Sequence, residues 1–566
     1  IIVMKHTICA VSLLLFSFFS YAQKASIVWG ENLKIKKGTT EMNIITADNT
    51  GVYVQEEDFR PVMFTHVDNL LKIKFRKFDK DYNEIFERDY NDELKGKDFN
   101  RIISFKDRLY LFADDYDKKA KQFISYAVEL DKSSGRMLGK LKEIAVIPRE
   151  DKNERYDFIV VPSVDSSAMV MVADISNKEY ARVKVLLMNE RLEPVSNTDI
   201  NLSFARNTYV MDDVLYTRDK KIVVTGRVFE EVQETKKRTK KVFKRVSLEK
   251  FGLDGKKEAE FPTTTGGKML LSAKVVTNGK GDIFVCGYYT NSIKDQMING
   301  IVVNRINPLT GEVLMSSEKE ITASMASKYK DDDNEETDKK GKSKNQEPEG
   351  ESEGFAYSYR FKKVLVGQDN SIILIAEQFQ FDVRTSYQSG MVNGVYQTRT
   401  TTTYYYSTGD IMTTRIGSDG NIKFVSVIPK WQVERTSGTN SSMGMGVSFS
   451  SSIFVRGGMP FYSSFNCIPY KNKLFFFYND HADNGAVTEP GQSAKRVLNF
   501  AKSDCYSVML DLETGKVTRK MLFTNEDEPT AMVRHGMVLN NALYVVALRR
   551  VLMGKSTIKL GKILVK

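Results

Sequence analysis

The chain has 566 residues, of which 41% are hydrophobic, 11% are aromatic and only 12 are prolines, a composition that excludes disordered and fibrous proteins. Its 83 basic and 72 acidic residues give a formal net charge of +11, a mild excess for this length. The excess fits either a preference for acidic surfaces or glycans, or solubility alone, and it does not predict a nucleic-acid partner.

The N-terminus has the pattern of a secretory signal peptide. Lys5 supplies a positive charge, residues 8–19 are almost wholly apolar, and Ser20-Tyr21-Ala22 places small residues at a cleavage site. The apolar stretch is shorter than the roughly 20 residues of a membrane-spanning helix. We therefore expect a signal peptide at 1–22, a mature domain at 23–566 with no transmembrane segment, and export to the periplasm or cell surface of a Gram-negative bacterium.

From residue 23 onward, short β-prone runs alternate with polar turns. Each turn begins with an Asp or Asn, and a Gly follows in most of them. The first five turns recur at intervals of roughly 50 to 65 residues, and longer later intervals contain inserted loops. Four strands can be written for each unit, which is typical of a propeller blade. The leading residues of the seven turns are Asp79, Asp131, Asn189, Asp254, Asn307, Asp419 and Asp511.

The two chain ends predict how the ring closes. Three strands follow the seventh unit, around residues 532–539, 542–548 and 557–565, and the mature N-terminus offers a fourth at 25–35. Pairing the two ends gives an all-β fold with a single eight-bladed propeller and no free sheet edge within the ring. Seven blades with an added strand pair, or a sandwich of two β domains, are the alternatives.

Two of the turns carry a family resemblance. The Leu-Asp-x-x-Thr-Gly-x-Val turn at 510–517 and its relative at 307–313 resemble the outer hairpins of quinoprotein-like and similar secreted β-propellers. The resemblance implies a propeller over nearly the whole mature chain. The tryptophan-docking repeats of the quinoprotein family are absent, since the mature chain has only Trp29 and Trp431. No quinone or other cofactor is therefore expected.

Five long insertions are predicted to open on one face of the propeller. In an antiparallel blade, the connection between the second and third strands opens on the same face as the connection to the next blade. Loops on a rigid scaffold commonly form binding surfaces. The charged segment 324–354 is predicted to be disordered rather than a metal site, because its acids are consecutive. The insertions are 230–241, 324–354, 384–407, 432–461 and 480–496.

Two of these insertions and the tip of a third contain the candidate binding residues. In the segment 384–407, Tyr396, Tyr404 and Tyr406 share one face by period two, either as a recognition surface or as packing on a neighbouring loop. The segment 432–461 is glycine-rich and apolar, and the tip at 236–241 is basic. The candidates are Tyr387, Tyr396, Tyr404, Tyr406, Met443, Met445, Arg456 and Phe461, with the basic tip Lys236, Lys237, Arg238, Lys240 and Lys241.

No local motif of a catalytic or metal site is present. The mature chain has three isolated histidines and lacks nucleophile-elbow and zinc-helix motifs. Asp114, Asp115, Asp157 and Asp480 lie near strand ends, but the sequence does not rank them above other surface acids. Cys467 and Cys505 either form a disulfide or are small buried side chains.

The sequence therefore favours an exported, non-enzymatic binding or scaffold protein whose loop-rich face recognises an envelope protein or a glycan. The alternative is a carbohydrate-active enzyme with carboxylates in the central channel, whose acids would come from several blades without a local motif. Oligomeric state is not predicted.

Overall fold

A computed structural model shows eight antiparallel β-sheets arranged in a ring, an eight-bladed β-propeller. The predicted all-β class and the blade count of eight are thus confirmed. The structure describes residues 25–35, 41–59, 71–322, 325, 328–330, 355–356, 359–438, 460–549 and 556–566, except 153, 155, 164–165, 176–178, 206–207, 236–237, 262, 264, 279, 292–296 and 393–394.

Blades one to four each consist of four strands that are consecutive in the chain. Their order in each sheet is the chain order, so every strand pairs antiparallel with the strand before it. The strands are Glu41–Asp48, Gly51–Phe59, Leu71–Phe78 and Glu84–Asp89; Asp98–Phe105, Arg108–Asp117, Gln122–Leu130 and Lys142–Pro148; Asp157–Pro162, Met169–Asp174, Ala181–Met188 and Pro194–Leu202; Tyr209–Tyr216, Ile222–Thr235, Arg238–Phe251 and Lys257–Glu260.

Blades five to seven have the same order and carry additional short strands. Met297–Ile298 pairs with Phe355–Ala356, Lys328–Lys330 pairs in parallel with Ser493–Lys495, and Gln432–Gly438 extends the sheet of blade six. The blade strands are Met269–Thr277, Ile283–Thr290, Gly300–Ile306 and Val313–Glu320; Tyr359–Val366, Ile372–Val392, Val395–Ile416 and Ile422–Ile428; Asn466–Tyr470, Lys473–Asp480, Asp504–Asp511 and Val517–Thr524. Three 3-10 helices lie at Ala482–Ala486, Phe500–Lys502 and Val533–His535.

Blade eight closes the ring with both ends of the chain. Thr530–Ala531 and Met537–Leu539 pair with Ala542–Arg549, which pairs with Ser556–Val565. Ala25–Trp29 and Leu33–Ile35 then pair with that last strand, placing Trp29 opposite Gly561. The predicted closure is therefore correct.

The hydrophobic core is divided among the interfaces between blades. Eight clusters of buried side chains each join two neighbouring blades, and one of them joins blade eight to blade one through Val546 and Val54. A blade thus buries both faces of its sheet, which explains second strands such as Ile283–Thr290 that are buried along their whole length. Cys286, Cys467 and Cys505 are buried and free, so the possible disulfide is not formed.

Candidate functional site

The first strands are the innermost of their blades, because in several neighbouring blades they contact each other, as Glu41–Asp48 contacts Asp98–Phe105 and Met269–Thr277 contacts Tyr359–Val366. Each begins after a connection from the preceding blade. That end is the loop-rich face, where the connections between second and third strands also open. The first residues of these strands form a ring on the loop-rich face that we call the channel mouth.

Carboxylates lie directly opposite each other at the channel mouth of consecutive blades. In blade two, Asp98 at the start of the first strand is opposite Asp114 on the second strand. In blade three, Asp157 is opposite Asp174 in the equivalent position. Asp98 is exposed and the other three side chains are partly exposed. We call Asp98–Asp114 and Asp157–Asp174 the carboxylate pairs.

The backbone of blade one repeats the same arrangement. Glu41 at the start of its first strand is opposite Glu57 on its second. Like charges directly opposite in an antiparallel pair destabilise the sheet. In blades two and three the arrangement brings two described carboxylates together, and departures from local stability rules are concentrated at functional sites.

Blade four places two further acids near the channel mouth, but both are held in ion pairs. A β-bulge between Met211 and Asp213 makes room for Asp212, which accepts two bonds from Arg227 Nε at 3.2 and 3.0 Å. Asp213 pairs with Lys274 Nζ of blade five at 2.6 Å. Burial raises the pKa of both carboxyl groups despite these cations. These ion pairs give both acids a structural role, since the pair of Asp213 with Lys274 joins blade four to blade five.

Blades six and eight contribute three neighbouring cations on this side of the ring. Arg360 and Lys362 belong to the first strand of blade six, and Arg534 lies just before the strand Met537–Leu539 of blade eight. The Phe379 ring lies between the first two, 4.1 Å from the Arg360 guanidinium carbon and 5.8 Å from Lys362 Nζ. Burial lowers the pKa of Lys362, as do the charges of Arg534 and Arg360, while Glu377 opposes this. Arg360, Lys362 and Arg534 are called the cation group.

Beneath the cation group, Glu377 is fully buried and held by three side chains. Lys430, also fully buried, lies 2.9 Å from Glu377 Oε1. Lys362 Nζ lies 3.2 Å from Oε2, and Ser464 Oγ donates to the same oxygen at 2.6 Å. The ammonium of Lys430 and that of Lys362 outweigh the effect of burial and lower the pKa of Glu377. This carboxylate is therefore ionised and anchors Lys362 from below.

A second buried carboxylate anchors the connection into blade seven. Glu434 accepts hydrogen bonds from the backbone N–H groups of Phe461, Tyr462 and Ser463 at 2.9, 2.8 and 3.0 Å. Nearby, Lys430 Nζ and Ser464 N both donate to Gln432 Oε1. Because both oxygens of Glu434 are committed to the backbone, we assign it to positioning this segment.

His535 is buried beside the cation group. Its ring nitrogens lie 2.7 Å from Asn43 Oδ1 and 3.2 Å from the carbonyl oxygen of Pro460. Burial and the charge of Arg534 lower its pKa to about 3. A neutral imidazole donates only one hydrogen bond. Its single N–H therefore serves one of two acceptors, Asn43 Oδ1 or the carbonyl oxygen of Pro460.

The long hairpin of blade six is only partly a free tyrosine surface. Tyr406 is 6% exposed and Tyr404 is partly exposed, and their rings lie 4.9 and 6.2 Å from that of Phe381. Both tyrosines also lie on a strand that pairs with Gln432–Gly438. Tyr406 thus packs within a three-stranded extension. Tyr387 and Tyr396 lie on the strands, opposite Thr400 and Met391, and their side chains are not described.

The other predicted binding residues are scattered or outside the described part. Phe461 is partly exposed and lies 6.2 Å from the His535 ring. Lys241 is exposed on the blade four hairpin; Arg238 and Lys240 belong to its strand but their side chains are not described. Outside the described residues lie Met443, Met445, Arg456, Lys236, Lys237 and most of the charged insertion 324–354. A binding role for all of them stays a prediction.

The four acids that the sequence could not rank are separated by the structure. Asp114 and Asp157 belong to carboxylate pairs, and Asp115 is next to Asp114 on the same strand. Asp480 is fully buried and accepts from Arg519 Nη1 at 2.5 Å, which makes it an anchor of blade seven. Within the described ranges, no group of three or more His, Cys, Asp or Glu side chains could hold a metal ion, and no helix is long and apolar enough to span a membrane.

No protein-family model and no curated protein matches the chain. Among solved structures, the chain is similar to the polysaccharide lyase Uly1, with 10% identity over 93% of this chain and 99% of that one, at a TM-score of 0.34. An α-L-arabinofuranosidase of Fusarium graminearum in complex with an iminosugar inhibitor matches at 10% identity over 67% and 96%, TM-score 0.30. An α-L-arabinanase of Penicillium chrysogenum complexed with arabinobiose matches at 9% over 50% and 94%, TM-score 0.28.

These comparisons correct the main functional prediction. Against these named structures, a polysaccharide lyase, an arabinofuranosidase and an arabinanase, the prediction of a non-enzymatic binding or scaffold protein is wrong. The likeness itself shows the propeller fold. What each enzyme acts on is a property of that protein. The quinoprotein-like resemblance gains no support beyond the propeller itself, which the ring of eight blades establishes.

Proposed function

We propose that the chain is a carbohydrate-active enzyme that cleaves glycosidic bonds, with the carboxylate pairs at the channel mouth as its reacting groups. The observation that carries the proposal is the repetition of opposed carboxylates at one position of consecutive blades. Both pairs lie on the face that also carries the long loops, and none of their four side chains is buried.

The spacing of these pairs suits the chemistry. Cleavage of a glycosidic bond commonly needs two carboxyl groups, one to protonate the leaving oxygen and one to act as nucleophile or base. Residues directly opposite in an antiparallel pair have Cβ atoms about 4.5–5.5 Å apart. Carboxyl groups about 5–5.5 Å apart are typical of enzymes that retain the anomeric configuration. The opposed positions of Asp157–Asp174 and Asp98–Asp114 therefore bring two carboxyl groups close together, as these two roles require.

Of the two pairs, Asp157–Asp174 is the better candidate for the reacting pair. Both of its side chains are partly exposed, whereas Asp98 is exposed to solvent at the rim. A reacting carboxyl needs access to substrate together with protection from bulk water. We therefore assign the cleavage to Asp157 and Asp174, and contact with a neighbouring sugar to Asp98 and Asp114.

The predicted binding residues extend the same proposal along the loop-rich face. The partly exposed Tyr404 offers a ring and a hydroxyl, a combination that suits contact with sugars. We propose that the blade six hairpin, with Tyr387 and Tyr396, borders the glycan outside the channel mouth. Export, predicted from residues 1–22, would place such an enzyme where polysaccharides occur.

The test is to incubate the purified chain with a panel of neutral and acidic polysaccharides and to measure product size by mass spectrometry. Wild type is expected to shorten at least one polymer, and the double variant D157N/D174N to shorten it at least about 100-fold more slowly, the lower end of what one acid–base group contributes. Asp419→Asn, in a turn on the opposite face, is the matched control. Failure of wild type on every polymer, or equal rates in wild type and the double variant, would overturn the proposal.

A further inference from the structure

The pair Asp157–Asp174 lies at the ends of two strands, so the chain segments outside those strands determine how it is held. The segment between Pro148 and Asp157, called the entry connection, leads from blade two into the first strand of blade three. The segment between Asp174 and Ala181, called the exit connection, leads from the second strand to the third. The ends of structural elements fray most easily. A side chain that joins the two connections therefore also fixes the distance between the two aspartates.

Glu154 is the side chain that joins the two connections. It belongs to the entry connection, and its side chain is fully buried. Its Oε1 accepts a hydrogen bond from the hydroxyl of Tyr180 in the exit connection and lies 3.3 Å from Nη2 of Arg182, on the strand that follows. Its Oε2 accepts a hydrogen bond from the backbone N–H of Glu150 at 2.8 Å, within the entry connection. One carboxylate thus binds both connections.

The contacts of Glu154 are directional and strong. Burial and the hydrogen bond to Glu154 raise the pKa of Tyr180 to about 12, so its hydroxyl keeps the proton that it donates. Arg182 also donates to Glu150 Oε1 at 2.5 Å, which adds a second link between the entry connection and the third strand. Hydrogen bonds with an ionised partner are shorter and stronger than neutral ones.

The entry connection is also held to blade two, through Tyr156. This residue directly precedes Asp157, and its hydroxyl shares a hydrogen bond with Ser125 Oγ. Its ring stacks on that of Phe123, with ring centres 4.9 Å apart and planes 16° apart. Ser125 in turn lies directly opposite Asp114 of the other carboxylate pair. The chain that leads to Asp157 is therefore fixed to the neighbouring blade as well as to the exit connection.

Stability alone does not call for a carboxylate at this position. Replacing a buried ion pair by apolar side chains of similar volume is often neutral or stabilising. A buried carboxylate with three donors does supply a fixed geometry, and reacting groups have to be held within about 0.5 Å of it. A misplacement of about 1 Å, even from a remote change, can slow a reaction about 100-fold.

We propose that Glu154 is a positioning residue, which sets the separation of Asp157 and Asp174 by tying the entry connection to the exit connection. Its effect on a reaction rests on the proposed function, whereas the separation itself belongs to the fold and is measurable without substrate. Because Glu154 is fully buried, it acts through the two connections and not on the glycan.

The first experiment measures the repulsion between Asp157 and Asp174 by urea unfolding of wild type, D157N, D174N and the double variant at low salt, where repulsion is largest. The cycle is repeated in the Glu154→Gln and Tyr180→Phe backgrounds. Loss of the anchor lets the carboxylates move apart, so the coupling should fall to half or less in E154Q. Tyr180→Phe removes one bond, keeps the partly exposed ring, and should lower the coupling by a smaller amount.

A merely structural role gives a different result in these cycles. It lowers the stability of all four proteins of a cycle equally and leaves the coupling at its wild-type value. A coupling that is unchanged or larger in both backgrounds would overturn the inference.

The second experiment measures kcat and KM at equal folded fraction, on the polymer that wild type shortens. E154Q should lose at least about tenfold in kcat with KM within about threefold, because the geometry of the reacting pair changes and the contacts to the glycan do not. The matched control is Glu249→Gln: Glu249 is also buried, but it bonds Lys257 at 2.6 Å near a turn of the opposite face, and E249Q should keep the wild-type kcat. Equal losses in E154Q and E249Q, or a loss in E154Q that is confined to KM, would overturn the inference.

The outcome is distinguishable from failure of the proposed function. If wild type cleaves no polymer and the coupling falls in E154Q, the proposed function fails and the positioning role stands. If wild type cleaves a polymer and E154Q changes neither the coupling nor kcat, the positioning role fails and the proposed function stands.

Discussion

Asp157 and Asp174 lie directly opposite each other on the first two strands of blade three, at the loop-rich end. The equivalent residues of blade two are Asp98 and Asp114. Both side chains are partly exposed, and two like charges in this relation repel each other.

The repulsion within this pair is measurable by a double-mutant cycle. We expect Asp157→Asn to change the free energy of unfolding more favourably in the wild-type background than in the Asp174→Asn background. The difference should be about 0.2–1 kcal/mol. The cycle cancels the effect of other neighbours of either residue. Urea unfolding of the four proteins gives the coupling energy, and a coupling of zero or of attractive sign would contradict the assignment.

The buried ion pair of Lys430 and Glu377 should be essential to blade six. Lys430→Met removes a cation from the buried carboxylate of Glu377. It is expected to lower the free energy of unfolding by about 3–5 kcal/mol. The double variant K430M/E377Q should cost less than K430M alone. The control is Lys423→Met, which breaks an exposed pair with Asp419 and should change stability by no more than about 0.5 kcal/mol. Equal effects of K430M and K423M in chemical unfolding would show that the buried pair is not important.

His535 should make stability depend on pH. Its pKa in the folded chain is about 3, below the ordinary value of 6.5, so the unfolded chain takes up the proton first. Its contribution is fully present above about pH 6.5 and is lost as the pH falls towards 3, with a slope approaching about 1.4 kcal/mol per pH unit. Unfolding of wild type and His535→Gln between pH 7 and 4 measures this slope. The variant should show a shallower dependence, and identical slopes would count against a buried neutral histidine.

Closure of the ring depends on a close contact between the two chain ends. A Cβ atom on Gly561 would lie 2.4 Å from the Trp29 ring, so Gly561→Ala must displace Trp29 and is expected to cost about 1–3 kcal/mol. In the Trp29→Ala background this added cost should largely disappear. Thermal unfolding of the four proteins tests the contact, and additive effects would mean that the two residues act independently.

The fold was predictable because each blade has its own turn signal. Asp131 illustrates it: its side chain accepts the backbone N–H of Ser133 at 2.5 Å and Gly135 follows with φ of 69°. Such turns are encoded by neighbours in sequence, and so is the alternation of the strands between them. Closure of the ring was also predictable, because the C-terminal end has three strands of a four-stranded blade and the N-terminal end offers the missing one.

The candidate site was mostly not predictable, because its partners are distant in sequence. Glu377 is on the second strand of blade six, Lys430 lies in the connection after the fourth strand, and Arg534 is on another blade, so no local pattern joins them. One signal was available: Asp98 and Asp114, and Asp157 and Asp174, are each about 16 residues apart, the span of one hairpin. Tyr406 shows the converse, since a period of two residues cannot show that its ring packs against that of Phe381.

The central claim is that Asp157 and Asp174 cleave a glycan, and initial rates of reducing-end release test it most directly. The polymer is the one that wild type shortens, and the proteins are wild type, D157N, D174N and the control D419N, compared at equal folded fraction. We predict that D157N and D174N each lose at least about 100-fold in kcat while D419N keeps the wild-type rate. Rates of D157N and D174N within a few-fold of that of D419N would contradict it.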